Sequence, residues 1–405
     1  MPNWLKDSII YHILVDRFST GNKQRDFSLS FKTSKNWMGG NIKGIVSKLE
    51  YFKNLGINAV WLSPIFEGAY YHGYHVTNYF EIDKHFGSKK DLEILVKTFH
   101  KNGIKIILDF VPNHCSVKHP FFLDAIKNPN SKYRDWFIFK RWPKSYLSFL
   151  HFKEIPKLNV ENDDVVNYLI EVGEYWIEEF NVDGYRLDHA IGPTIAFWRK
   201  FSKSMKKVKK DFVLIGEVWF QGIKKRHIET LWFLKDSKVK ERTIQKLVEQ
   251  KTLDVLNDIA MKQFENVFDG CLDFTVNLLF RKLLKKKMSL DVFWQKIDEH
   301  YKKFKKNFVL PTFLDNHDMD RFIFLAKNRE NLVAFFSSLQ FSLPQPPIIY
   351  YGNEIGLSQK KRIVFNKEFS DLEARRFMTW EKVKDNPLLQ HYKNLVLGRR
   401  FLKRR

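Results

Sequence analysis

The sequence predicts an α/β protein: a closed (β/α)8 TIM barrel with a short subdomain inserted after its third strand. Three observations carry this. Along the 405 residues, short apolar, β-branched runs alternate with helical patterns, as in a parallel sheet joined by helical crossovers. Eight such runs can be counted, the number that closes a ring rather than leaving an open sheet. Between the third and fourth runs the rhythm stops, and residues 114–163 are rich in Pro, Asn and aromatics.

The elements follow in order. Residues 9–15 make the first strand, and after a polar loop one helix sets Ile42, Ile45, Leu49 and Phe52 on a single face. Residues 57–62 are the second strand, followed by a Gly- and Tyr-rich loop and a helix across 91–102. The third strand is 104–110. Asp163 then reads as the N-cap of a helix in which Val166, Leu169, Gly173, Trp176, Ile177 and Phe180 recur at three- and four-residue spacing. Strands four to eight fall at 182–187, 212–215, 271–276, 308–314 and 347–351, and a last helix covers 387–401. The barrel therefore comes in two parts, 1–113 and 164–405, around the insert at 114–163.

Composition narrows the classes. Hydrophobic residues are 44% and charged residues 28%, which excludes a disordered tail or a fibrous repeat. Aromatics, at 16%, are enough for a large core and an aromatic-lined cleft. No apolar run reaches the length of a membrane span. The stretch 9–15 is interrupted by His12 and lacks a cleavage site, so it is not a secretory signal. Two cysteines, Cys115 and Cys271, without CxxC spacing point to a reduced, cytoplasmic chain. The net charge of +23 raises a polyanionic partner. Yet basic runs such as 285–287 and 302–306 sit beside apolar helical spacing and read as solvated helix faces, so neither nucleic acid nor membrane is expected as a partner.

Barrel sites form at the C-terminal ends of the strands. There the sequence puts Asp109 on strand three, Asp188 on strand four, Glu217 on strand five, and Asp315 and Asp318 on strand seven. Like charges raise one another's pKa, so such a rim needs a purpose or neutralisers. Arg186 lies two residues before Asp188 and shares its interior side, and His114 and His317 sit at neighbouring strand ends. Paired carboxylates suit glycoside cleavage, one attacking the anomeric carbon and the other protonating the leaving oxygen. Tyr70, Tyr71, Tyr74, Trp136, Trp142 and Trp219 fall in strand-end loops or the insert and offer faces for sugar rings. HExxH, Walker A and GxGxxG motifs are absent, and His72 and His75 have no third zinc ligand at recognisable spacing.

With these residues in order, the chain resembles the α-amylase family of glycoside hydrolases along nearly its whole length. Asp109-Phe-Val-Pro-Asn113-His114 resembles the family's first signature block, and Gly184-Tyr-Arg186-Leu-Asp188 the block of the nucleophile. Gly216-Glu217-Val-Trp219 resembles the acid/base block, and Phe313-Leu-Asp-Asn316-His317-Asp318 the block of the third acid. Gly39-Gly40-Asn41-Ile42, Gly73-Tyr74-His75 and Tyr351-Gly352-Asn353-Glu354 match further landmarks, and Ile155-Pro-Lys-Leu-Asn159 resembles a neopullulanase and cyclomaltodextrinase block.

The resemblance implies a retaining hydrolase of α-1,4-glucosidic bonds in maltooligosaccharides or starch-like glucans. Asp188 would be the nucleophile and Glu217 the acid/base, with Asp318 gripping the sugar hydroxyls. Arg186 would hold Asp188 ionised, Tyr74 would be a stacking platform, and His114 and His317 would bind the same sugar, with Asp109 and Trp219 beside them. A 4-α-glucanotransferase using the same covalent intermediate is the alternative, and a non-catalytic glycan- or polyanion-binding scaffold the alternative of another class. After the nucleophile the chain reads His189-Ala-Ile-Gly-Pro193, without the Lys-His pair of many α-amylases. The first strand begins almost at once and the last helix ends the chain, so the family's N-terminal domain and C-terminal β-domain have no counterpart here. From that follows the expectation of a monomer or weak oligomer. No cofactor is required. The resemblance assigns calcium to Asn113 and to the loop with Asn22, Asp26, Gly39 and Asn41, although Lys23 and Arg25 occupy that loop.

Overall fold

The computed structural model describes residues 3–364 and 369–403. Eight parallel strands form one sheet: β1 Ile10–Ile13, β2 Ala59–Leu62, β3 Lys105–Phe110, β4 Gly184–Leu187, β5 Val213–Gly216, β6 Gly270–Cys271, β7 Thr312–Phe313 and β8 Pro347–Tyr350. Neighbours run β6-β5-β4-β3-β2-β1-β8-β7. The ring closes where Gly270 bridges Val309 in parallel. There Val309 N–H donates to the Asp269 carbonyl at 2.9 Å and Cys271 N–H to the Val309 carbonyl at 3.1 Å. All eight expected strands are present, and the fold is a TIM barrel.

Period-2 alternation sorts the strand residues. Ile10, Ala59, Trp61, Ile107, Val213, Ile215, Phe313 and Ile348 form one buried cluster inside the barrel. The alternate residues, among them Tyr11, Val60, Ile106, Leu108, Tyr185 and Leu214, join the larger core between strands and helices. On that outer layer Glu354 is buried and accepts hydrogen bonds from the hydroxyls of Tyr11, at 2.6 Å, and Tyr51.

Four elements differ from expectation. The helix after β1 is two, Ile42–Val46 and Leu49–Leu55, parted at Ser47 and Lys48. Asn162, not Asp163, caps Asp163–Phe180, its side chain accepting from Asp164 and Val165 N–H groups. The apolar run 271–276 is strand only to Cys271, because the Asp273 carboxylate accepts from Val276 N–H and starts the helix Phe274–Leu284. The run 308–314 is strand only at Thr312–Phe313, since Pro311 has no N–H and Leu310 donates to the Gln345 side chain.

The insert packs a helix, Pro120–Lys127, against a small hairpin of Phe139–Arg141 and Ser145–Tyr146. Trp136 and Trp142, expected as sugar faces, belong to this packing. Trp136 lies edge-on to Phe121 and Tyr133, and Trp142 Nε1 donates to the Ala125 carbonyl at 2.9 Å. The insert is sewn to the barrel by Leu158 N–H on the Asn113 carbonyl, at 3.0 Å, and an antiparallel bridge between His114 and Lys157 ties its first residue to its later part.

The last helix, Pro387–Lys403, buries Leu388, Leu389, Tyr392 and Val396 against the barrel, with Leu395 half-buried. Arg399, in the last turns of this helix, is buried and donates to the Phe341 and Leu343 carbonyls at 2.8 and 2.6 Å, closing the helix Glu330–Ser342. Arg404 and Arg405 lie outside the described residues. Lys285–287 are exposed, as solvated faces require.

Candidate active site

The expected acids converge at the C-terminal rim. Period 2 along β3 and β4 turns Asp109 and Arg186 to the barrel interior, and the chain just beyond β4 and β5 adds Asp188 and Glu217. Arg186 is buried at their centre. Its Nη1 donates to Asp109 Oδ1 and to Asp188 Oδ1, both at 2.8 Å, while Nη2 contacts Glu217 Oε1. One guanidinium therefore serves three carboxyl groups.

The protonation states separate. Burial pushes the Asp188 carboxyl up to about 6, with Arg186 opposing the rise and Asp318 adding to it. Burial pushes Glu217 higher, to about 8, again against Arg186 and reinforced by Asp188. Burial also raises Asp109, to about 7. Asp318 goes the other way: burial would raise it, but His317 and Arg375 hold it well below the usual carboxylate range. At neutral pH the arrangement favours an ionised Asp188 facing a protonated Glu217, the division of labour that acid–nucleophile chemistry needs.

The surrounding groups hold these acids. Tyr74 hydroxyl donates to Asp109 Oδ2 at 2.8 Å and meets His317 Nε2 at 2.8 Å, and its ring is stacked on His317. Trp61 Nε1 also donates to Asp109, at 3.2 Å. His317 Nε2 lies 3.0 Å from Asp318 Oδ2. His114 is buried with Asn113 Nδ2 against its Nδ1. Trp219, half-buried, stacks on Phe274 with centroids 4.9 Å apart. Asp315, a second acid after β7, turns away from the rim and accepts from Asn353 Nδ2 at 2.7 Å and from Phe322 N–H.

A cleft of about 660 Å³ opens over this rim, its walls including Asp188, Glu217, Asp318, Tyr74, His114, Trp219 and His317. Tyr70, Tyr71, Phe149, Phe152, His189 and Arg375 line it as well. Reading the sequence missed four of these, Phe149, Phe152, His189 and Arg375. Arg375 Nη2 pairs with Asp318 Oδ1 at 2.9 Å while its Nη1 pairs with Asp371 at 2.7 Å. The only hint in the sequence was that i,i+4 acid–base pair. Phe149 packs edge-on to His189, centroids 4.6 Å apart, from a segment with no periodicity. His189 itself was read only as part of a departure from the family block.

The calcium positions hold the protein's own cations. Asn113 Oδ1 accepts from Lys157 Nζ at 2.6 Å. In the second loop the Asn22 side chain caps a helix by accepting from Arg25 N–H, and Asp26 accepts from Ser19 and Thr20 with Lys48 Nζ 3.7 Å away. Calcium wants six to eight oxygens, several of them carboxylate, and these residues do not fit it. Among the described residues no group of three or more His, Cys, Asp and Glu could hold a metal ion.

A closed barrel with two buried carboxyl groups of separated pKa on adjacent strand ends, under a sugar-sized cleft, has the construction of a carboxylate-based glycosidase. The chain belongs to the α-amylase family: residues 12–393 match its catalytic domain. It is 38% identical to an Alpha-amylase 2 of Dictyoglomus thermophilum over 397 residues, covering 98% of this chain and 63% of that protein. It is 33% identical to a cyclomaltodextrinase of Thermoanaerobacter pseudethanolicus, covering 98% and 64% respectively. A solved α-amylase of Geobacillus thermoleovorans, complexed with acarbose, superposes with a TM-score of 0.76 at 29% identity, over 98% of this chain and 80% of that one. The chain thus spans a little under two thirds of the length of the curated relatives it matches. Among the described residues no helix is long and apolar enough to cross a membrane.

Proposed function

We propose that this chain is a retaining hydrolase of α-1,4-glucosidic bonds in maltooligosaccharides and related α-glucans. The observation that carries the reading is the shared guanidinium. Arg186 draws Asp188 and Glu217 onto its two amino nitrogens, which suits the roughly 5–5.5 Å separation of a retaining pair, and their pKa values fall on opposite sides of neutrality. Asp188 attacks the anomeric carbon while Glu217 gives its proton to the leaving oxygen. Glu217, now ionised, then takes a proton from the water that releases the sugar. Asp318, held ionised by His317 and Arg375, binds sugar hydroxyls, and Tyr74, His114 and Trp219 complete the walls. The names of the two relatives support α-glucans as the substrate class, and an intracellular maltogenic amylase of Bacillus subtilis at 30% identity supports a cytoplasmic setting.

A 4-α-glucanotransferase is the second reading, favoured by one feature. Phe149 packs against His189 just beyond Asp188 and, like Ile223, lines the cleft, and apolar walls of this kind favour a sugar acceptor over water. Incubation with maltotriose separates the two. Glucose and maltose alone, released first as the α-anomer, support hydrolysis with retention, and longer oligosaccharides support transfer. Release of the β-anomer would refute the retaining mechanism.

A further inference from the structure

We propose that Lys157 is a tethered cation that fastens the turn behind the nucleophile, taking at Asn113 the structural place of a bound metal ion. The proposal rests on the glycosidase reading above. Lys157 is fully buried. Its ammonium donates to Asn113 Oδ1 at 2.6 Å and to the Gly192 carbonyl at 2.7 Å, and it lies 4.7 Å from the centre of the Trp232 ring. These partners come from three places: the rim after β3, the turn after Asp188, and the segment beyond β5. Burial and Lys235 pull the Lys157 pKa down, with Glu161 opposing. Both hydrogen-bond partners are acceptors and Trp232 offers its π face, so the charged form is the one these groups bind. A divalent ion would need more oxygens, and the ammonium already occupies the Asn113 oxygen it would use.

What the tether holds is a strained turn. His189 follows the nucleophile with φ +42°, a left-handed conformation that costs a non-glycine residue about 1–3 kcal/mol unless its surroundings impose it. In that conformation His189 N–H donates to Glu217 Oε2 at 3.1 Å and Ala190 N–H to the Glu217 carbonyl at 2.9 Å. The turn closes through Gly192 N–H on the His189 carbonyl at 2.8 Å. Gly192 also packs so tightly on Asn113 that a Cβ there would stand 2.1 Å from Asn113 Oδ1. Lys157 bonds both Asn113 and Gly192. It is therefore a positioning residue for the acid/base: ammonium to Gly192, Gly192 to His189, His189 N–H to Glu217.

The test compares wild type, K157M and K157A. In the wild type, dialysis against EDTA and addition of Ca²⁺ should leave Tm and turnover of maltotriose unchanged. K157M keeps the bulk without the charge; its kcat should fall roughly tenfold while KM moves little, because the disturbed groups flank the reacting centre. Its basic limb should move up, since Glu217 loses the N–H bond that lowers its pKa. K157A should regain Tm and activity with ethylammonium chloride and not with tetramethylammonium chloride at equal ionic strength. A K157M enzyme with wild-type kcat and pH profile overturns the proposal, as does a wild type that loses Tm in EDTA and recovers it with Ca²⁺. If K157A does not fold, K157M decides alone. If the wild type cleaves no glucan, the glycosidase reading fails by itself, and Tm with the ammonium salts still judges the tether.

Discussion

Arg186→Ala removes the one cation shared by Asp109, Asp188 and Glu217. The side chain is buried, with its Nη1 2.8 Å from an oxygen of Asp109 and of Asp188. Unit charges about 4 Å apart are worth roughly 4 kcal/mol at an effective dielectric constant near 20. Divided by about 1.4 kcal/mol per pKa unit, that is about 3 units. The Asp188 carboxyl, now pushed to about 6, would then titrate near 9, and at pH 7 about one molecule in a hundred would carry an ionised nucleophile. The expected result is a loss of kcat/KM of about a hundredfold at pH 7, with the acidic limb moved upward by 2–3 units or so. The assay is kcat/KM on maltotriose from acid to alkaline pH, with circular dichroism to confirm folding. R186K, which restores charge without the fork, should fall between the two. An acidic limb that stays in place in a variant active enough to measure would refute the electrostatic role.

Asp188→Asn should abolish turnover, by about 10⁴-fold or more, and leave Tm unchanged or raised because one of several like charges is gone; near-normal activity would show that another group attacks. His300→Gln tests a buried ion cluster away from the cleft. Burial opposes a charge on His300, but Asp273 and Asp258 prevail and push its pKa up to about 10. A pKa raised on folding gives stability that is complete below the unfolded value of about 6.5 and lost as pH rises through the folded one. The gap between wild type and H300Q in urea should therefore be about 3–5 kcal/mol at pH 6 and shrink toward pH 10; a gap that does not change with pH would count against it. Sedimentation at micromolar concentration should show mostly monomer, and a tight dimer over the last helix would contradict that.

The rim acids were legible because barrel geometry makes the residue at each strand end special, whatever lies between strands. Glu217 sits directly after a run that is apolar because it is buried on both faces, and Asp188 after an equally buried run whose one charge, Arg186, points at the site. Strands six and seven were read too long because apolar residues after Cys271 serve a helix and those before Thr312 pack without a ladder. Sequence does not reveal that difference until the Asp273 cap and Pro311 are seen in place. Trp136 and Trp219 look alike in sequence, yet one packs within the insert and the other lines the cleft. Arg375 reaches Asp318 from 57 residues away, and Lys157 reaches Gly192 from another unit of the fold. Such contacts depend on how loops pack, for which a single sequence has no period to read.

The barrel is fastened unequally. Seven of its eight joints are ladders between strands, while the joint from β6 to β7 is a single bridge helped by a few backbone bonds through Val309 and Pro311. That joint is a clasp, and it lies between the stave that delivers Glu217 and the stave that delivers Asp318. A change at Val309 or Gly270, remote from any sugar, would let those two acids drift apart. In a Gly270 variant the incoming Cβ would stand 2.0 Å from the Val309 carbonyl oxygen and prise the clasp open. Amide hydrogen exchange would register such loosening first along this line, before any stave on the opposite side of the ring gave way.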